Sequence, residues 1–439
     1  MYVRSDGLGD GCEVDNPSGS LSAALNKLCA IDSPFGYGIK ILHNVNPLVV
    51  SPISLGHDLG LMIEGVNCSG ENNTEVVINC DGSISTVLFS CQKSLEFKYL
   101  AFQFSATKRN WNSLISAGSG SISLTISTCR FVRIGSQAKR GKISNDDGNS
   151  PLTSSLVSVT SGSVEMDTVK CTDETSFVAF SSSPFSFSGA REVSLSGMDI
   201  SKVNVESGAV ISINDGSDSY SKVSIEGLNV LEVKSEKGAA AGLDITLSSK
   251  ESRVAIGRSS KCSFKSCSAP EGKSGAIFID MPKATSNLQL PSANNLEIDS
   301  SNTAGSESTS LFIIAPDFDE FCKQEDAFEF ANDYDDSAVG WVEGTKDADT
   351  EPEDVYEKYI KGKKDPVPHP QPQPEPVPES EYYTGKKDKS KTNSGVIIVA
   401  VIVPLIVVIA VVVFVIVILY KKRSVNKDNN EKEQEMKDS

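Results

Sequence analysis

Histidine is almost missing from this sequence: His43, His57 and His369 are the only three in 439 residues. None of the ten cysteines has CxxC spacing, so no structural zinc site is written into the chain. His43 follows an apolar run and His57 lies in a glycine-flanked turn, where a packed or solvated imidazole is the ordinary reading. Positive charge is short as well: 41 Lys and Arg stand against 58 Asp and Glu, a formal net charge of −17. With no basic stripe to neutralise phosphates, nucleic acid is excluded as a partner. Aromatics make up 7%, and the only tryptophans are Trp111 and Trp341, which removes the Cys…Trp…Cys pattern of immunoglobulin-type sandwiches. The start, "MYVRSDGLGDGC", lacks the apolar stretch of a secretory leader. The expectation adopted is that the natural chain begins further upstream.

What is present is short, apolar and periodic. Hydrophobic residues make up 39% of the chain, with 33 glycines and abundant serine, which suits many short strands better than helices. "VEMDTVKC" from Val164, "VSLSGMDI" from Val193, "VSIEGLNV" from Val223 and "VAIGRSSKC" from Val254 align at intervals of 29, 30 and 31 residues. "LMIEGVNC" from Leu61, "LEFKYLAF" from Leu95 and "ISLTISTC" from Ile122 share the same opening, and "LEID" from Leu296 is read as its continuation. A second strand keeps phase with the first: "SLIS" near Leu114, "SLVSVT" near Leu156, then 207–213, 241–247, 274–280 and 310–315. Strands of period two at a coil period near thirty, joined by Gly, Ser, Asn and Asp turns, stack into a parallel β-helix with a continuous core. The polar stretch 135–151 reads as a loop inserted into one coil.

Cysteine recurs at the eighth position of three openings, as Cys68, Cys129 and Cys171. These are small stacked core residues, with a Cys129–Cys171 disulfide between coils as the alternative. Asn67 and Asn72 begin Asn-x-Ser/Thr sequons and are candidate glycosylation sites. "NPSGSLSAALNKLCAI" at 16–31 combines a serine start signal with an amphipathic run, and is expected to form a helix that caps the first coil.

Several of these motifs carry a family likeness. "SDGLGDGC…NPSGSLSAAL" at 5–25, "YGIKIL" at 37–42 and "LMIEGVN" at 61–67 resemble the N-terminal cap and first coils of the pectin-lyase-like right-handed parallel β-helix superfamily. "FKSC" at 264–267 followed by "SGAI" at 274–277 is similar to the FxxN and GGA-I/L/V repeat of polymorphic outer-membrane adhesins. It also resembles the single-pass β-helix surface proteins of protists, in which Cys replaces Asn. The likeness spans about residues 1–316 and implies right-handed coils and a surface role. Pectate lyases and polygalacturonases belong to the same superfamily, yet the NTD and His-Gly motifs of the polygalacturonases are absent here. Asp146-Asp147 and Arg140-Gly-Lys142 occur, but in reversed order and inside the inserted loop. No catalytic, metal or cofactor-binding residue is therefore assigned.

Beyond the repeats, 317–365 is acidic with interspersed aromatics and is read as a C-terminal cap and linker. "PVPHPQPQPEPVP" at 366–378 opens a Pro- and Lys-rich stalk running to 394, about 40 Å of polyproline II in the proline part. Residues 396–420 carry no charge, a run of about 37 Å as a helix, and 395–420 is expected to span a membrane. "KKR" at 421–423 then opens a cytoplasmic tail to 439. The sequence thus predicts an all-β fold: a right-handed parallel β-helix over 1–316 with its cap in 1–35, plus one transmembrane α-helix. The expected role is that of a single-pass plasma-membrane surface protein, N-terminal domain outside, recognising carbohydrate or protein without catalysis. A surface polysaccharide lyase or glycoside hydrolase, and a tail-anchored cytosolic scaffold, are the alternatives.

Overall fold

A computed structural model describes residues 2–3, 19–29, 37–43, 48–49, 53–55, 60–67, 72–80, 89–91, 94–105, 113–118, 123–134, 155–172, 178–215, 220–281, 288–289, 295–305, 310–315, 339–343 and 353–354. All of them lie in the first of the two units into which the chain divides, Met1–Val367. Strands dominate, and they are short because each serves one side of a coil. One turn of the chain runs through Ala190–Ser196, Asp199–Ser201, Val203–Val205 and Ile211–Asn214, then returns in Lys222–Glu226 to pair in parallel with Ala190–Ser196. Repetition of this path builds a first face of 10 strands, a second of 9, a narrow corner sheet of 5 and a third face of 11. Successive coils are thus one strand spacing apart, about 4.8 Å. The architecture is a mostly parallel repeat of solenoid type.

Alternation within each strand decides which side chains face inward. On the first face, Val164, Val193, Val223 and Val254 are in register with one another and buried. On the third face Phe89, Ile115, Val157, Phe185, Ile211, Leu243, Ile277 and Leu311 form the corresponding inner column. In the earlier coils phenylalanines fill the lumen: Phe97 meets Phe89 edge-on at 5.0 Å between centroids, and Phe102 stacks on Phe131 at 5.2 Å. Each such ring buries enough apolar area that truncation to Ala costs about 3–5 kcal/mol.

The corners bend by a left-handed residue. Between the first and second faces stand Tyr99, Thr128, Thr168, Gly197 and Gly227, all at φ between 51° and 61°. They stack coil on coil, and each amide donates to the next coil: Tyr99 N–H to Ser127 O, Thr128 N–H to Asp167 O, Thr168 N–H to Ser196 O, Gly197 N–H to Glu226 O and Gly227 N–H to Ser260 O. The parallel ladder therefore continues through the bend, which offsets the strain of the non-glycine members. Lys202, Glu232 and Ser266 form a second left-handed column at the next corner. Where the following coil widens over 257–260, the Glu226 carboxylate accepts the amides of Arg258, Ser259 and Ser260 at 2.8–3.1 Å and fixes the wider turn.

The expected cap helix is Leu21–Cys29. Ser20 Oγ accepts the Ala23 amide at 3.1 Å, an N-cap, and Leu21, Ala24, Leu25 and Leu28 join Val3 and Ile39 in the core. At the other end Val339–Glu343 adds in parallel to Leu311–Ala315 and pairs antiparallel with Glu353–Asp354.

Three expectations are corrected. Among the described residues no helix is long and apolar enough to cross a membrane. Leu21–Cys29 is 9 residues, about 14 Å against the ~30 Å of a bilayer core, and it exposes Asn26 and Lys27. The transmembrane helix expected at 395–420 lies outside the described residues. With it go the membrane as partner, the single-pass plasma-membrane placement and the membrane-anchored surface role. Second, the coil opening at Ile122 begins two residues later, since Leu124 is the residue in register with Leu95 and Val164. Third, Leu296 pairs with Cys262 on the second face, and the first face continues instead through Leu288–Gln289.

Candidate functional site

The outer surface of the third face is built by a simple pattern. In Phe89-Ser-Cys, Ile115-Ser-Ala, Val157-Ser-Val, Phe185-Ser-Phe and Ile211-Ser-Ile, the first residue is one of the inner column, so the serine between points outward. Ser90, Ser116, Ser158, Ser186 and Ser212 are in register from coil to coil. They form one column of hydroxyls repeating about every 4.8 Å along the solenoid axis. Each is half-buried between its neighbours. Beside them runs a second outward column, Thr160, Ser188, Asn214 and Thr246.

Serines elsewhere have a different task. Ser155 Oγ donates to Ser183 O at 2.6 Å, Ser235 Oγ to Gly208 O at 2.7 Å and Ser274 Oγ to Ser310 O at 2.6 Å, each tying one coil to the next. Asp215 is wholly buried and accepts from Ser248 Oγ, the Ser249 amide and Ser252 Oγ at 2.8–3.1 Å. These serines and Asp215 tie structural corners, whereas the column serines face outward.

After Ser212 the column becomes Asp244, then Phe278, then Phe312. Burial pushes the Asp244 carboxyl up to about 6, with a further push from the charge of Asp280. Asp280 is also raised by burial, against the pull of Lys273. On the second face Glu297 lies between Lys265 and Lys261, at 2.9 and 3.0 Å, and those two ammoniums hold its carboxyl down at about 2. This cluster is satisfied within itself.

Of the described residues singled out from the sequence, Asn67 and Asn72 are brought together on one turn, and Cys129 and Cys171 are not bonded. Asn67 Oδ1 accepts the Asn72 amide at 3.3 Å, and the Asn72 side chain is exposed on the same turn. Cys129 and Cys171 are free, buried thiols, each pushed up to about 12 by burial. They belong to different levels of the coil: Cys171 is in register with Phe131, and Cys129 follows the left-handed Thr128. Cys262 and Cys267 are likewise free and buried. Cys267 and Asn302 are successive members of one column, with Asn302 Oδ1 accepting the Cys267 amide at 2.8 Å and its Nδ2 donating to Phe264 O at 2.9 Å. His43 is exposed and donates its amide to Val66 O. Arg140, Lys142, Asp146, Asp147, His57, His369 and Cys68 lie outside the described residues. Among the described residues no group of His, Cys, Asp and Glu is arranged to hold a metal.

Apolar-Ser-apolar triplets recur from Phe89 to Ile213, but the same triplet stands on the first face at 193–195 and 223–225, so the sequence alone does not single out the serine column. Comparison of the chain with protein-family models, with curated proteins and with solved structures finds no match.

Proposed function

We propose that the repeat domain is a recognition scaffold that binds an extended glycan or protein segment along its third outer face and carries out no catalysis. The observation that supports this is the column Ser90, Ser116, Ser158, Ser186 and Ser212, outward and in register on successive coils. A hydroxyl both donates and accepts, and each bond contributes only about 0.5–1.5 kcal/mol net. Affinity would come from repetition on a rigid, preorganised surface, with a ligand lying along the axis meeting one hydroxyl per coil. A serine nucleophile needs a base within hydrogen-bond reach. Ser116, Ser158 and Ser186 have serines above and below them in the column. The resemblance of 5–25, 37–42 and 61–67 to the cap and first coils of the pectin-lyase-like superfamily supports membership of it, and with it right-handed winding, as part of the same proposal.

The test is binding of the full chain to a panel of immobilised neutral glycans, acidic glycans and unstructured peptides. Ser158→Ala with Ser186→Ala removes two outward hydroxyls and adds neither charge nor bulk at these half-buried positions. It is expected to weaken binding to the preferred class by more than about tenfold while leaving the unfolding midpoint unchanged. Equal binding by the variant, or no binding by the unsubstituted chain anywhere on the panel, contradicts the proposal.

A further inference from the structure

The third face changes character within one coil. Asp244 follows Ser212 in the outer column, and Asp280 lies one coil further on, in register with Thr246. Thr246 Oγ1 donates to Asp244 Oδ1 at 3.4 Å. Next to them Phe278 and Phe312 stack at 5.9 Å between centroids and 17° between planes. With Ala240 these rings form a buried apolar cluster separate from the main core. Two half-buried carboxylates on adjacent strands thus lie beside an apolar patch, where their charged forms are only partly solvated.

Among the described residues the charges around the pair are few. The strand Ile211–Asn214 on one side presents Ser212 and Asn214, both neutral. The strand Ile277–Asp280 on the other side presents Asp280 itself, and Leu311–Ala315 beyond it presents Phe312 and Ile314. The cation that acts on Asp280 is Lys273, whose Nζ lies 5.5 Å from the centre of the Phe312 ring.

We propose that Asp244 and Asp280 form an acid-responsive clasp: with a proton bound, the coils carrying Leu243–Thr246 and Ile277–Asp280 close firmly, and with both carboxylates ionised this stretch opens more readily. A protonated carboxyl can sit against Phe278 without the desolvation cost of a charge, a cost that outweighs the opposing pull of the Thr246 hydroxyl on the ionised form of Asp244. Two ionised ones repel and seek water. The upward shift of both groups agrees in sign: a carboxyl raised from 3.8 to about 6 binds more protons closed than open, so its contribution to closure is complete below about 4 and is lost as pH rises through about 6. This clasp is independent of what the serine column binds.

Hydrogen exchange of the full chain, followed by mass spectrometry and corrected for intrinsic rates, tests it at about pH 5 and about pH 7.5. The expected result is roughly tenfold more frequent opening of 243–246 and 277–280 at the higher pH, with no such change in Ser155–Val159. Asp244→Asn imitates the protonated form and is expected to reduce the response to less than about threefold, whereas Asp280→Asn, which removes only the smaller charge contribution at Asp244, is expected to reduce it by a lesser amount. Equal protection of the unsubstituted chain at both pH values, or a full response retained in both variants, overturns the proposal.

Discussion

At the scale of the residue, the buried polar groups carry the tightest constraints. Asp215 has no solvent to turn to, and it satisfies two hydroxyls and one amide from the segment 248–252. Asp215→Ala would leave those donors buried without their acceptor, which costs more than the bonds themselves contribute. The expected loss is about 3 kcal/mol, read as a lower urea midpoint with an unchanged slope. A midpoint within error of the unsubstituted chain would show the site to be wetter than its burial indicates. The thiols follow the opposite logic. Cys129, Cys171, Cys262 and Cys267 are apolar filling whose burial raises them to about 11–12, far from the thiolate form that reacts or binds metal.

At the scale of the element, the corners decide the register. Gly227 has φ +61°, and a Cβ there would meet the Gly197 amide nitrogen at 3.3 Å, so Gly227→Val combines a branched side chain in the left-handed region with a close contact to the coil above. A stability loss of about 2 kcal/mol in thermal or urea unfolding is expected, and Gly227→Asn should cost clearly less because Asn tolerates that region. The alignment of Val164, Val193, Val223 and Val254 was legible because period-two apolar residues recur there without interruption. The slip at Ile122 arose because apolar spacing alone cannot tell Ile122 from Leu124 as the first inward residue. The shift of Leu296 to the second face has a similar cause: its apolar-x-apolar opening resembles the earlier ones, while the first-face strand at Leu288–Gln289 is only two residues long and shows no such pattern. The left-handed corners at Tyr99, Thr128, Thr168, Lys202 and Glu232 carry no sequence signal, since residues that disfavour positive φ occupy them under the pull of the interstrand ladder.

At the scale of the whole molecule, two strands per coil were read where there are three faces and a corner, because the second face and the corner strands are mostly two to four residues long and share the turn composition around them. The candidate binding surface emerges only when the coils are stacked, for no single Ser186 or Ser212 differs from any other strand serine. The claim that those serines share one outer column can be measured directly. Nitroxide labels on Ser90→Cys and Ser212→Cys, in a chain whose accessible native cysteines are replaced by serine, are four strand spacings apart by register. A narrow distance distribution centred near about 19 Å is expected from electron paramagnetic resonance. A broad distribution, or one centred beyond about 30 Å, would contradict the stacking of these coils and the face built on it.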